Sequence, residues 1–88
     1  MPATTVAGKN NRHKVMVYSL STCVWCKKTK KLLQDLDVEF SYIDVDLSTK
    51  EEMKKMRRKT LSYPLIIIND EVEINGYNED RIRGILSL

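Results

Sequence analysis

Two cysteines stand three residues apart in this 88-residue chain, as Cys23-Val24-Trp25-Cys26. An apolar run ending at Leu20 precedes them, and an amphipathic pattern beginning at Cys23 follows. The pair therefore opens a helix. A helix N-terminus offers unpaired backbone N–H groups and the positive end of the dipole, which together stabilise an anion. A thiolate on Cys23 is favoured there. Lys27, Lys28, Lys30 and Lys31 come next. Lysines early in a helix oppose its dipole, so they fit a helix built to hold a thiolate better than a purely structural one. Lys27 is assigned to thiolate stabilisation. An i, i+3 spacing on one turn brings two sulfurs within reach of disulfide geometry. Cys23, at the exposed tip, is placed to attack a disulfide. Cys26, one turn in, is placed to attack back and release the mixed disulfide. This chemistry needs no cofactor beyond the Cys23–Cys26 disulfide itself.

Other uses of two cysteines were weighed. A zinc site takes four ligands, and the chain supplies two cysteines and one histidine, His13. No metal ligand is assigned, and His13 is expected to be solvent-exposed. A zinc or iron–sulfur centre shared between two copies of the chain remains as an alternative, as do two inert buried cysteines. On a strand–helix–strand unit in a reducing compartment, a CxxC reads as redox-active. Tyr63-Pro64 is the second feature. A residue before proline is driven to extended geometry, and here it enters a central strand, where its backbone is able to pair with a bound peptide.

The elements that must position these residues follow from periodicity. Lys14 to Leu20 reads as a strand, with Val15 and Val17 on one face and Met16, Tyr18 and Leu20 on the other. Both faces are apolar, so both are covered. The helix from Cys23 to Leu36 carries Thr29, Leu32, Leu33 and Leu36 as its apolar stripe. Glu39 to Val45 is a more polar strand. These three form a βαβ unit with parallel strands and a right-handed crossover. Ser48 to Glu51 has a capping-box pattern, with Thr49 to Glu52 as the other register. The helix that follows runs to about Lys59, with Met53 and Met56 inward. Pro64 to Ile68 is a second doubly covered strand, Asn69-Asp70 a hairpin turn, and Glu71 to Asn75 an alternating edge strand. Gly76 breaks the chain, and Asn78 caps a last helix carrying Ile82, Ile85 and Leu86. The expected fold is α/β: a four-stranded mixed sheet in the order β-α-β-α-β-β-α, with three flanking helices in one domain over residues 14–88. Residues 1–13 show no periodicity and are expected to be disordered or weakly ordered.

Composition sets the class. Hydrophobic residues make up 42% and charged residues 31%, ordinary values for a globular domain. A core this small leaves little room for a deep multi-substrate pocket. No run approaches the ~18 apolar residues of a membrane span. No apolar signal segment is visible near Met1, so a cytoplasmic location is expected. The net charge of +3 belongs to residues 1–14, which hold Lys9, Arg12 and Lys14 and no acid. Residues 15–88 balance twelve bases against twelve acids. That balance argues against nucleic acid as a partner.

From about Val15 to Leu86 the chain resembles the glutaredoxin family of thioredoxin-fold redoxins. The resemblance is carried by Val15-Met16-Val17-Tyr18, Cys23-Val24-Trp25-Cys26, Tyr63-Pro64 and Gly76-Tyr77-Asn78-Glu79-Asp80. It implies that Cys23 is the nucleophile and Cys26 the resolving thiol. It implies that Pro64 is cis and faces the disulfide, and that Val24, Trp25, Tyr63, Pro64, Gly76 and Tyr77 line the partner groove. Glutathione-dependent members usually carry Pro-Tyr between the cysteines, Thr-Val before the cis-proline and Gly-Gly before the last helix. This chain has Val24-Trp25, Ser62-Tyr63 and Gly76-Tyr77, which is more similar to NrdH-type redoxins and to small redoxins of anaerobes and archaea. For such a redoxin the implied partners are a thioredoxin-reductase-like or ferredoxin-linked disulfide reductase and disulfide-bearing proteins such as ribonucleotide reductase. It would act as a monomer.

Overall fold

The computed structural model describes residues 3–59 and 62–88. The elements in chain order are β1 (Thr4–Val6), β2 (Val15–Ser19), α1 (Val24–Asp35), β3 (Phe40–Asp44), a 3-10 turn (Val45–Leu47), α2 (Lys50–Lys59), β4 (Leu65–Ile68), β5 (Val72–Asn75) and α3 (Glu79–Leu86). The strands form one sheet in the order β1-β3-β2-β4-β5. β2 and β3 are parallel, as a βαβ crossover requires, and every other pairing is antiparallel.

Side-chain alternation divides the core in two. Val15 and Val17 of β2, Ile66 and Ile68 of β4 and Ile74 of β5 point to one face, where Leu32 and Leu33 of α1 and Ile82 and Leu86 of α3 cover them. Leu65 and Ile67 point to the other face, against Val45 and Met56, with Tyr18, Leu20, Met53 and Tyr63 at its margin. The two apolar runs are therefore the two central strands, β2 and β4, lying side by side. Burying one Leu, Ile or Val side chain is worth about 1.5–3 kcal/mol. This two-sided burial is what holds the C-terminal end of β2 rigid where the cysteines begin.

The sheet has five strands rather than four. The expectation that residues 1–13 are disordered or weakly ordered is corrected: Thr4–Val6 adds to the edge of β3, with Thr4 opposite Tyr42 and Val6 opposite Phe40. Met1 and Pro2 lie outside the described residues. Gly8 then passes so close to the α1–β3 connection that a Cβ there would lie 2.6 Å from the Asp37 carbonyl oxygen. Asn10 donates its N–H to the Asp37 carbonyl at 2.8 Å and accepts from Glu39 N–H at 3.0 Å. Three residues give no period to read, and their partners lie some 35 positions away. His13 is also not simply solvated. It is half-buried, and its Nδ1 lies 3.0 Å from the Asn69 side-chain amide.

Local signals placed the remaining boundaries. Asn69 and Asp70 both adopt positive φ, +56° and +58°, as a two-residue hairpin turn demands. Of the two capping registers, Thr49 prevails: Glu52 N–H donates to Thr49 Oγ1 at 3.3 Å. Among the described residues, no helix is long and apolar enough to cross a membrane.

Candidate active site around Cys23 and Cys26

The turn from Leu20 to Cys23 leaves the end of β2 and delivers Cys23 as the N-cap of α1. Cys23 keeps extended geometry, with φ −85° and ψ 117°, and its Sγ accepts the Cys26 N–H at 3.2 Å. A sulfur thus stands where Ser or Asp caps other helices. No acid occupies the first turn of α1 to compete with it. Cys23 is half-buried, Cys26 is fully buried, and both are free thiols. Burial, and hydrogen bonding to Cys23, push the Cys26 thiol up to about 12. The Leu20 backbone and the charge of Lys30 oppose that shift. Cys26 therefore keeps its proton at neutral pH while Cys23 faces solvent.

Two carboxylates hold this turn in place. Asp46, in the 3-10 turn, accepts the Ser21 N–H at 2.9 Å through Oδ1 and the Ser21 hydroxyl through Oδ2. Those two bonds keep the Asp46 carboxyl below its ordinary value. Asp44, at the end of β3, accepts from the buried Ser19 hydroxyl at 2.7 Å and from Lys30 Nζ at 3.1 Å. Lys30 also lies 3.9 Å over the Tyr42 ring. A pair only 19% and 20% exposed is costly to break by removing one partner. Inside α1, the Thr29 hydroxyl donates to the Trp25 carbonyl at 2.9 Å. Sequence reasoning missed Asp44 and Asp46. Neither carries a motif, and each reaches the site only through the parallel β2–β3 pairing.

The second wall comes from the loop before β4 and the turn after β5. The Tyr63–Pro64 peptide is cis, as the resemblance implied. Tyr18 pairs with Leu65, so Pro64 lies beside the end of β2. Gly76 donates its N–H to the Pro64 carbonyl at 2.8 Å and adopts φ +84°, a value glycine takes readily. Tyr77 follows, and its ring centroid lies 5.6 Å from that of Trp25. Asn78 caps α3 by accepting the Arg81 N–H at 3.1 Å. Burial raises the Tyr63 phenol, while Arg57 draws it down and Cys26 adds to the rise.

The structure thus brings Cys23, Cys26, Trp25, Tyr63, Pro64, Gly76 and Tyr77 to one end of the sheet. Val24 and Trp25 are 62% and 53% exposed, an apolar surface beside Cys23. Lys28 lies 4.4 Å from the Trp25 centroid. Lys27 is exposed on the first turn of α1. Lys30 is the lysine of that block whose charge acts on Cys26. Among the described residues, no three His, Cys, Asp or Glu side chains converge to hold a metal ion.

The chain is similar to known proteins in sequence and fold. A family model described as Glutaredoxin matches residues 15–73. A Clostridium pasteurianum protein, described as an uncharacterized glutaredoxin-like 8.6 kDa protein in a rubredoxin operon, is 34% identical over 74 residues. That match covers 82% of this chain and 96% of the relative. Among solved structures, a glutaredoxin from Methanosarcina mazei Go1 superposes with a TM-score of 0.83 at 49% identity. It covers 100% of this chain and 90% of the other. Methanoredoxin from Methanosarcina acetivorans gives 0.81 at 46% identity, covering 89% and 88%.

Proposed function

Since the chain belongs to the glutaredoxin family, we propose that it is a dithiol–disulfide oxidoreductase that reduces protein disulfides. The observation that carries this reading is the asymmetry of the pair: a half-exposed Cys23 capped by an N–H, and a buried, protonated Cys26 behind it. The Cys23 thiolate attacks one sulfur of a substrate disulfide, forms a mixed disulfide and expels the other sulfur as a thiolate. Cys26 then loses its proton and attacks Cys23 Sγ. The Cys23–Cys26 disulfide forms, the second substrate thiol leaves, and two electrons have passed to the substrate. Extended backbone at Tyr63 and the cis-Pro64 beside it shape the groove, and Trp25 with Tyr77 offers an apolar anchor of the kind that dominates protein interfaces. Lys27 adds positive potential at the thiolate.

Glutathione is not the main reductant in this reading. A tripeptide anion needs close backbone approach beside the last helix. Tyr77 fills the place where glutathione-dependent relatives carry a second glycine. Glu79 and Asp80 add negative charge there. The protein is instead an NrdH-type redoxin, a cytoplasmic monomer reduced by a thioredoxin-reductase-like or ferredoxin-linked enzyme. Ribonucleotide reductase is a candidate acceptor. The test is insulin reduction by the parent, Cys23→Ser and Cys26→Ser. Loss of turnover in Cys23→Ser, with a trapped mixed disulfide in Cys26→Ser, is the expected result. Turnover with glutathione and its reductase, compared with the flavin and ferredoxin-linked systems, decides the subfamily.

A further inference from the structure

The helix α2 carries six bases against two acids, Glu51 and Glu52. A helix dipole accounts for Arg57, Arg58 and Lys59 in the last turn. It does not account for Lys50 at the first position, where a cation is disfavoured. Lys50 and Lys54 are one turn apart, as are Lys54 and Arg58, and like charges at i, i+4 destabilise a helix. Lys59 pairs with Glu73 at 3.8 Å. Lys50, Lys54, Lys55, Arg57 and Arg58 make no ion pair with any described residue, and all five are exposed.

These cations border a groove. Lys50, Met53, Lys54 and Arg57, at i, i+3, i+4 and i+7, line a cleft of about 340 Å³. Met53 is its half-buried apolar member and packs in the same cluster as Tyr63, the residue before cis-Pro64. Arg57, at one end of the cleft, is near enough for its charge to act on the Tyr63 phenol, so that end lies toward the cis-Pro64 groove. On the other side of that groove, Glu79 is engaged by Arg83 at 3.2 Å and by the Tyr77 hydroxyl at 3.3 Å. Exposed cations without an ion pair to any described residue thus lie on α2 as well as at Lys27 and Lys28 of α1, against Asp80 at the start of α3.

We propose that the α2 cleft holds an acidic segment of the protein whose disulfide Cys23 attacks, so that this chain selects disulfides flanked by Asp or Glu. A carboxylate in the cleft relieves the Lys50–Lys54 repulsion, and the Met53 floor accepts the methylenes of a glutamate. Positive potential beside the nucleophile also speeds encounter with an acidic partner. This inference rests on the oxidoreductase reading above.

The test uses the reduced protein in single turnover against three disulfides. Two are synthetic peptides with the same intramolecular disulfide, one flanked by glutamates and one by lysines. The third is uncharged hydroxyethyl disulfide. The glutamate peptide is expected to react about 10-fold faster than the lysine peptide at low salt. The ratio should fall below about 2-fold at 1 M salt, where the screening length is ~3 Å. The double variant Lys50→Glu/Lys54→Glu should lose or invert the preference and keep its rate on hydroxyethyl disulfide. Equal rates for the two peptides in the parent, or a preference that survives in the variant, would overturn the proposal. The salt series on the parent needs no variant to fold. A parent that reduces none of the three overturns the oxidoreductase reading itself, whereas activity on hydroxyethyl disulfide without peptide preference overturns only the α2 assignment.

Discussion

Asp46→Ala removes the acceptor that holds the turn before Cys23. In the folded chain, the Asp46 carboxylate takes two hydrogen bonds from one residue, the N–H and the hydroxyl of Ser21. Bonds to a charged acceptor are worth about 1.5–3 kcal/mol each when buried. Asp46 is half-buried, so water replaces part of what is lost. The expected loss is about 1–2 kcal/mol for both bonds together. For a domain of this size each kcal/mol shifts the melting midpoint by roughly 4–8 °C, so Asp46→Ala should melt about 5–15 °C lower. Asp46→Asn keeps one acceptor oxygen and should fall between. The carboxyl titrates below its ordinary value in the folded chain. Its stabilisation is therefore fully present above the unfolded value of about 3.9. It is lost as the pH falls through the lower folded value. The parent's advantage over Asp46→Asn should shrink as the pH falls below about 4. Urea melts of the three proteins at pH 7 and at low pH measure both effects. A variant within about 0.5 kcal/mol of the parent at pH 7, the range of ordinary surface substitutions, would refute the argument.

Iodoacetamide should modify only Cys23 between pH 7 and 9, with Cys26 becoming reactive as the pH nears 12. Mass spectrometry of the alkylated, reduced protein reads this directly, and labelling of Cys26 first would reverse the assigned roles. Because the raised Cys26 value holds the proton in the folded state, the reduced protein should lose stability above pH 9. The slope should approach about 1.4 kcal/mol per pH unit, visible in melts between pH 8 and 11. Gly76→Ala forces an alanine to φ +84° in otherwise open space and should cost about 1–2 kcal/mol. Gly84→Ala, inside α3 with nothing near its Cβ, should gain about 0.5–1 kcal/mol; parallel thermal melts test the pair. Gly8→Ala would drive a Cβ into the Asp37–Glu39 backbone and should release β1, read as lost amide protection at Phe40 to Tyr42 by hydrogen exchange.

Periodicity in the sequence determined the βαβ unit, the hairpin and the three helices, because each element writes its own two- or four-residue pattern. Burial on both faces marked Val15–Ser19 and Leu65–Ile68 as the central strands before any pairing was known. The CxxC at a strand-to-helix junction and the Tyr63-Pro64 step were legible for the same reason: their chemistry depends on neighbours within four residues. Only the tertiary structure decided the rest. β1 exists because Thr4–Val6 meets Ser41 and its neighbours across a gap that no local pattern spans. Asp44 and Asp46 reach the cysteine turn because the parallel pairing of β2 with β3 sets Ser19 beside Asp44. The deep burial that keeps Cys26 protonated, while Cys23 stays half-exposed, comes from packing α1 onto the sheet. Burial and long-range hydrogen bonds depend on which segments meet, and an isolated stretch of sequence carries no record of that.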